Sequence, residues 1–207
     1  LFFLFIYFIF KKFTGYILTD GYAYIPATFM AFVAFAHIFR VEHILEDKRA
    51  LILGGVIAAG AALTKQVGVF VVAAYFIIVV LADTAALKKH WKNLVISIGV
   101  AALVSLVWYA PKLILIAKDF ANSNLFALTD VAAHTYQDVS TTERVLQAFL
   151  SLEKYLFLYV AALPLAFLLD KRFRWIVVVF ILPFSILWSI IASYDPRNLA
   201  ITFPVVA

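Results

Sequence analysis

The chain is predicted to be all-α, a polytopic bundle of transmembrane helices, and three observations carry that class. Residues are 66% hydrophobic and mean hydropathy is +1.02. Charged residues make up only 14%, where a soluble domain carries about 25%. The apolar runs are too many and too long for one buried core. In lipid, helices are the elements that satisfy their own backbone groups. The net charge of +5 therefore reports topology, and no nucleic-acid partner is expected. The chain has no cysteine, which excludes disulfides and thiolate metal sites.

Eight apolar segments can be marked: 1–10, 22–39, 50–63, 67–82, 94–110, 155–169, 175–193 and 199–207. The first and last read as spans cut by the chain ends, which begin Leu-Phe-Phe-Leu without Met and finish Pro204-Val205-Val206-Ala207. Several segments fall short of the ~20 residues that cross a bilayer upright. The arm 67–82, at about 1.5 Å per residue, reaches only ~24 Å. Between this arm and Ala50–Leu63 stands the polar break Thr64-Lys65-Gln66. Lys65 is expected in a recess below the membrane surface, or at the tip of a re-entrant hairpin. An ionisable group in such a place is a functional candidate by default.

Clustered positive charge predicts sidedness. Arg40, Lys48 and Arg49 occupy one link, Lys88, Lys89 and Lys92 the next, and Lys171, Arg172 and Arg174 a third. The positive-inside rule places these links in the cytoplasm. Parity then places outside Asp20, the break at Lys65, the stretch 111–154 and the run Tyr194-Asp195-Pro196-Arg197-Asn198. Lys11 and Lys12 fit this scheme poorly, because too few residues separate them from Asp20 for a crossing.

The outer stretch 111–154 is expected to carry interfacial helices. Trp108 and Tyr109 stand where an aromatic belt belongs. Pro111 is expected to end or kink the preceding helix, and 112–118 to form an interfacial helical turn. Ser140-Thr141-Thr142-Glu143 is a capping box. After it, Val145, Leu146, Phe149, Leu150 and Leu152 recur at helical spacing, as in a helix lying on a membrane. Gly54, Gly55 and Gly60 suit close helix packing.

Candidate chemistry gathers on the outer side. Lys65 and Arg197 both end spans that face it, and a point cation beside a planar donor fork suits a phosphate or pyrophosphate. The plain alternatives are a snorkelling lysine and an arginine paired with Asp195. Asp130, His134 and Asp138 recur every fourth residue. On a helix they would form one stripe able to hold a divalent ion such as Zn²⁺ or Mn²⁺; a solvated polar loop is the alternative. Asp20, before Gly21, is either a turn residue or an acid. His37, His43 and His90 are assigned no chemistry.

The order of these features resembles the membrane-embedded GT-C glycosyltransferases of the protein O-mannosyltransferase and aminoarabinose transferase type. The resemblance runs from Leu18-Thr19-Asp20 through the Gly/Ala-rich helix ending Leu63-Thr64-Lys65, then Trp108-Tyr109, to Tyr194-Asp195-Pro196-Arg197-Asn198-Leu199 and Pro204. It implies transfer of a sugar from a polyprenyl-phosphate donor to a protein, lipid or glycan on the non-cytoplasmic face. Lys65 and Arg197 would hold the donor phosphate, and Asp20 would be an auxiliary acid. The base of the family lies in the first outer loop, expected upstream of Leu1, so the fragment alone would be inactive. Asn198 departs from the family's Arg-Tyr pattern. A multi-pass protein of a prokaryotic inner membrane is expected. The competing readings are a transporter or flippase for an anionic lipid or solute, with Lys65 and Arg197 along its route, and an assembly subunit without chemistry.

Overall fold

The structure is a computed structural model that describes residues 24–65, 67–118, 139–151 and 171–191, with residues 164, 168 and 202 besides. Every regular element among them is helical. Helix α1 is Tyr24–Arg40, α2 Lys48–Thr64, α3 Gly68–Ala82, α4 Thr84–Lys118 and α5 Thr141–Ser151. Helix α6 (Lys171–Ile176) runs through a π-helical segment, Val177–Ile181, into α7 (Leu182–Ile191).

Helix α2 is the hub, packing against α1, α3 and α4. Its composition explains this role. Gly54, Gly55, Ala58, Ala59, Ala61 and Ala62 are buried, and small residues let neighbouring helices come close. A methyl group on Gly54 would fall on the Tyr75 hydroxyl; one on Gly55 would lie 2.9 Å from Phe76 and 2.9 Å from the Ser97 hydroxyl. The glycines therefore receive the large side chains of α3 and the polar face of α4, as their packing role predicts. Tyr75 is fully buried in the resulting core, which also holds Phe35, Ile38, Leu51, Ile78 and Phe180.

Cross-helix bonds set the directions. Ser97 Oγ donates to the Leu51 carbonyl at 2.9 Å, and Tyr109 Oη to the Ala62 carbonyl at 3.1 Å. Helices α2 and α4 thus run parallel, both antiparallel to α3. Phe173 meets Phe39 at 6.4 Å, Phe180 meets Phe35 at 4.9 Å, and Phe184 meets Phe70 at 5.7 Å between ring centroids. The strip α6–α7 therefore rises antiparallel to α1, from the end near Arg40 to the end near Gly68. The π segment has a local cause. Pro183 has no N–H and its ring would crowd a regular helical turn; the chain widens just before it, with the Leu182 N–H reaching the Val177 carbonyl.

Among the described residues, two helices are long and apolar enough to cross a membrane, Thr84–Pro111 and Lys171–Ile190. Only 11% of the apolar window in the first is buried, so it is not an ordinary core helix. Helices α1 and α2 have 17 residues each and α3 has 15, roughly 22–26 Å at ~1.5 Å per residue, against ~30 Å of hydrocarbon. The expected count of eight membrane segments is not supported. Segment 1–10, and nearly all of 155–169 and 199–207, lie outside the described residues. Of the two outcomes expected at Pro111, an end to the helix is excluded: it continues to Lys118. A break lies at His90, with φ −114° and ψ 15°.

The capping box forms as its residues predict. The Ser140 N–H and hydroxyl each donate to Glu143 Oε2 at 2.8 Å, and the Glu143 N–H returns to Ser140 Oγ at 3.2 Å. Helix α5 packs on α7 through buried Ala148, leaving Val145, Leu146, Phe149 and Leu150 exposed. The Ser140 backbone bond, then its hydroxyl, hold the Glu143 carboxyl below its ordinary range. A depressed carboxyl pKa contributes stability above its unfolded value and loses it as pH falls through the folded value. Amides at the start of α5 are therefore expected to exchange faster once acid protonates Glu143; equal protection at neutral and acid pH would contradict this.

Candidate functional site

Lys65 closes α2. Its backbone is extended (φ −153°, ψ 146°) and its N–H bonds the Ala61 carbonyl at 3.1 Å. The same carbonyl accepts the Thr64 hydroxyl at 2.8 Å. One residue on, Tyr109 ties the Ala62 carbonyl to α4. The chain then reverses, and the Gly68 N–H bonds the Lys65 carbonyl at 2.9 Å. The reversal is tight because Gly68 lies against the α2 backbone; a methyl there would fall on the Ala61 carbonyl and the Ala62 nitrogen. Lys65 itself is half-buried.

The electrostatics of this turn are asymmetric. Helix α3 begins at Gly68 with no side-chain cap on its first amides, and a helix start of this kind favours negative charge. Lys65 stands three residues before it. The Gly68 and Phe70 amides already bond the Lys65 and Val67 carbonyls, so the turn sets a cation beside a helix start whose first amides are partly satisfied.

The opposite end collects the three basic links. The loop between α1 and α2, the junction of α3 with α4, and the start of α6 enclose a cavity of about 550 Å³, lined among others by Glu42, His43, Asp83, Lys89, His90 and Arg172. Arg172 holds the parts together. Its guanidinium donates to the carbonyls of Ile38 at 2.8 Å and of Phe39, Val41 and Glu42 at 3.3 Å each. These include the last carbonyls of α1, which have no partner within the helix. Asn93 reaches the Leu45 carbonyl at 3.1 Å, and Asp47 caps α2 through the N–H groups of Arg49 and Ala50. Arg172→Lys is expected to destabilise by about 2 kcal/mol or more, since one ammonium cannot serve a fan of carbonyls that a planar fork reaches. The thermal midpoint of the purified protein checks this, and an unchanged midpoint would refute the clamp.

Of the residues singled out in the sequence, Lys65 is described. Asp20, Asp130, His134, Asp138 and Arg197 lie outside the described residues, as do Lys11 and Lys12. Sequence reasoning missed two roles. Tyr109 was read as a belt residue, yet its hydroxyl anchors the end of α2. Arg172 was read as one charge among several, yet it is the clamp on α1. Neither role has a signal in local spacing, because the partners lie 47 and at least 130 residues away.

The class these features define is a protein whose described residues are helical in every regular element, with two helices among them long and apolar enough to cross a membrane. Comparison of the chain with models of protein families, with curated proteins and with solved structures finds no match.

Proposed function

We propose that this chain belongs to a membrane-embedded glycosyltransferase of the GT-C type, which moves a sugar from a polyprenyl-phosphate donor to a protein, lipid or glycan acceptor on the non-cytoplasmic face. The observation that carries the reading is the position of Lys65. It sits in a rigid turn at the uncapped start of α3, at the end of the bundle opposite the basic links. If those links face the cytoplasm, Lys65 faces out.

In this reading Lys65 meets the donor phosphate and offsets the charge that grows on it as the glycosidic bond breaks. Helix α7 rises to the same end, so Arg197, six residues past its last residue Ile191, is assigned to the same phosphate. Asp20 serves as an auxiliary acid, and a base supplied by the rest of the protein takes the acceptor's proton. Asp130, His134 and Asp138 are assigned to a divalent ion. The protein is placed as a multi-pass protein of a prokaryotic inner membrane, with about eight membrane segments.

The test uses the full-length protein in lipid, supplied with polyprenyl-phosphate sugars and watched for release of polyprenyl phosphate. Sugar transfer supports the reading, and its loss in excess EDTA supports the metal assignment. Movement of the intact lipid between leaflets without bond cleavage would establish a flippase instead.

A further inference from the structure

We propose that the basic end of the molecule is a binding surface for the headgroups of anionic phospholipids, centred on Lys88 and Lys92 of α4. The inference rests on the membrane placement proposed above but not on sugar transfer.

Helix α4 has two faces. Asn93, Ser97 and Ala101 turn toward the α1–α2 loop and α2, the first two through bonds to the Leu45 and Leu51 carbonyls. On the other face Trp91, Val95, Ile96 and Ile98 are exposed, followed by Leu103, Leu106 and Val107. Residues three and four apart share a helix face. Lys92 falls on this exposed stripe with Trp91, Val95 and Ile96. Lys88, also exposed, stands before the break at His90, so it flanks the stripe rather than continuing it. The stripe therefore passes from aliphatic side chains, through an indole, to the ammonium group of Lys92. That is the sequence of environments from acyl chain to boundary to headgroup.

The charge around them is available to a lipid. Among the described residues no carboxylate pairs with either lysine; the contact at that end joins His43 Nδ1 to Asp83 Oδ2 at 4.0 Å. Of the acids described there, Asp47 and Asp83 act as helix caps for α2 and α4, while Glu42 and Glu46 are exposed and are outnumbered by the basic residues. Arg40, Lys48, Lys171 and Arg174, also exposed, reach this end from the other two links. Three separate basic links thus become one surface bordering an apolar wall. Juxtamembrane clusters of four to eight Lys and Arg attract anionic lipids. The apolar wall beside Lys88 and Lys92 selects an anion anchored in a bilayer over a soluble one.

The experiment places the whole protein in nanodiscs of phosphatidylcholine and measures the immobilised fraction of spin-labelled phosphatidylglycerol against spin-labelled phosphatidylcholine. The expected result is preference for phosphatidylglycerol that weakens as salt shortens the screening length. Lys88→Gln with Lys92→Gln is expected to cut that preference by about five-fold per lysine, while Lys88→Arg with Lys92→Arg retains it. That pair separates lost charge from a damaged fold. Equal immobilisation of the two lipids, or an unchanged preference in the glutamine variant, overturns the proposal. Retention of RNA or acidic protein without lipid preference also overturns it, as does a protein that will not enter nanodiscs. No sugar donor is present, so a negative result leaves the transfer reading standing.

Discussion

Gly68→Ala is expected to lower stability by about 3 kcal/mol, at the top of the range for overpacked sites. The added methyl would meet backbone, the Ala61 carbonyl and the Ala62 nitrogen, and backbone cannot rotate away as a side chain can. Helices α2 and α3 would have to part at the turn. The Thr64, Lys65 and Tyr109 bonds to the Ala61 and Ala62 carbonyls would be strained together. Gly60→Ala is the control. Its methyl meets the Met30 sulfur at 3.3 Å, and a thioether side chain adapts readily. Thermal unfolding of both variants in one detergent decides the point: similar midpoints would show that the hairpin is looser than its contacts imply.

Lys65→Ala is expected to reduce sugar transfer by the full-length protein at least 100-fold, the scale seen when one preorganised donor to a developing oxyanion is removed. The protein should still insert and keep its thermal midpoint, because the turn is held by backbone and hydroxyl bonds that alanine leaves in place. Lys65→Arg should recover part of the rate: the charge returns, but a planar fork replaces a point charge. Normal turnover in the alanine variant would refute the phosphate role while leaving the fold as described.

Much of the helical layout is legible in local patterns. Ser140 paired with Glu143 marks a helix start that forms as its side-chain chemistry requires. Gly54 and Gly55 announce close packing. Pro111 reads as an end or a kink because its missing N–H is a local fact, and the helix that continues to Lys118 excludes the end. The break falls at His90, where nothing in composition marks it. The shortness of 50–63 and 67–82, by contrast, is legible in the sequence, and α2 and α3 are correspondingly short, at 17 and 15 residues.

The candidate site divides in the same way. Lys65 stands out because an ammonium between two apolar arms is costly, and cost is visible in one dimension. Tyr109 and Arg172 do not stand out, because their roles exist only where distant backbone carbonyls arrive. The sequence by itself determined the helical class, the capping signals and the basic links, since each depends on neighbours within a few residues. Charge clustering and parity also set the three basic links on one side and Lys65 on the other; tertiary structure alone decided that Arg172 clamps the end of α1, that Tyr109 ties the end of α2, and that Gly68 must be glycine. Those outcomes depend on which backbones touch, and contact between distant segments follows from packing rather than local pattern.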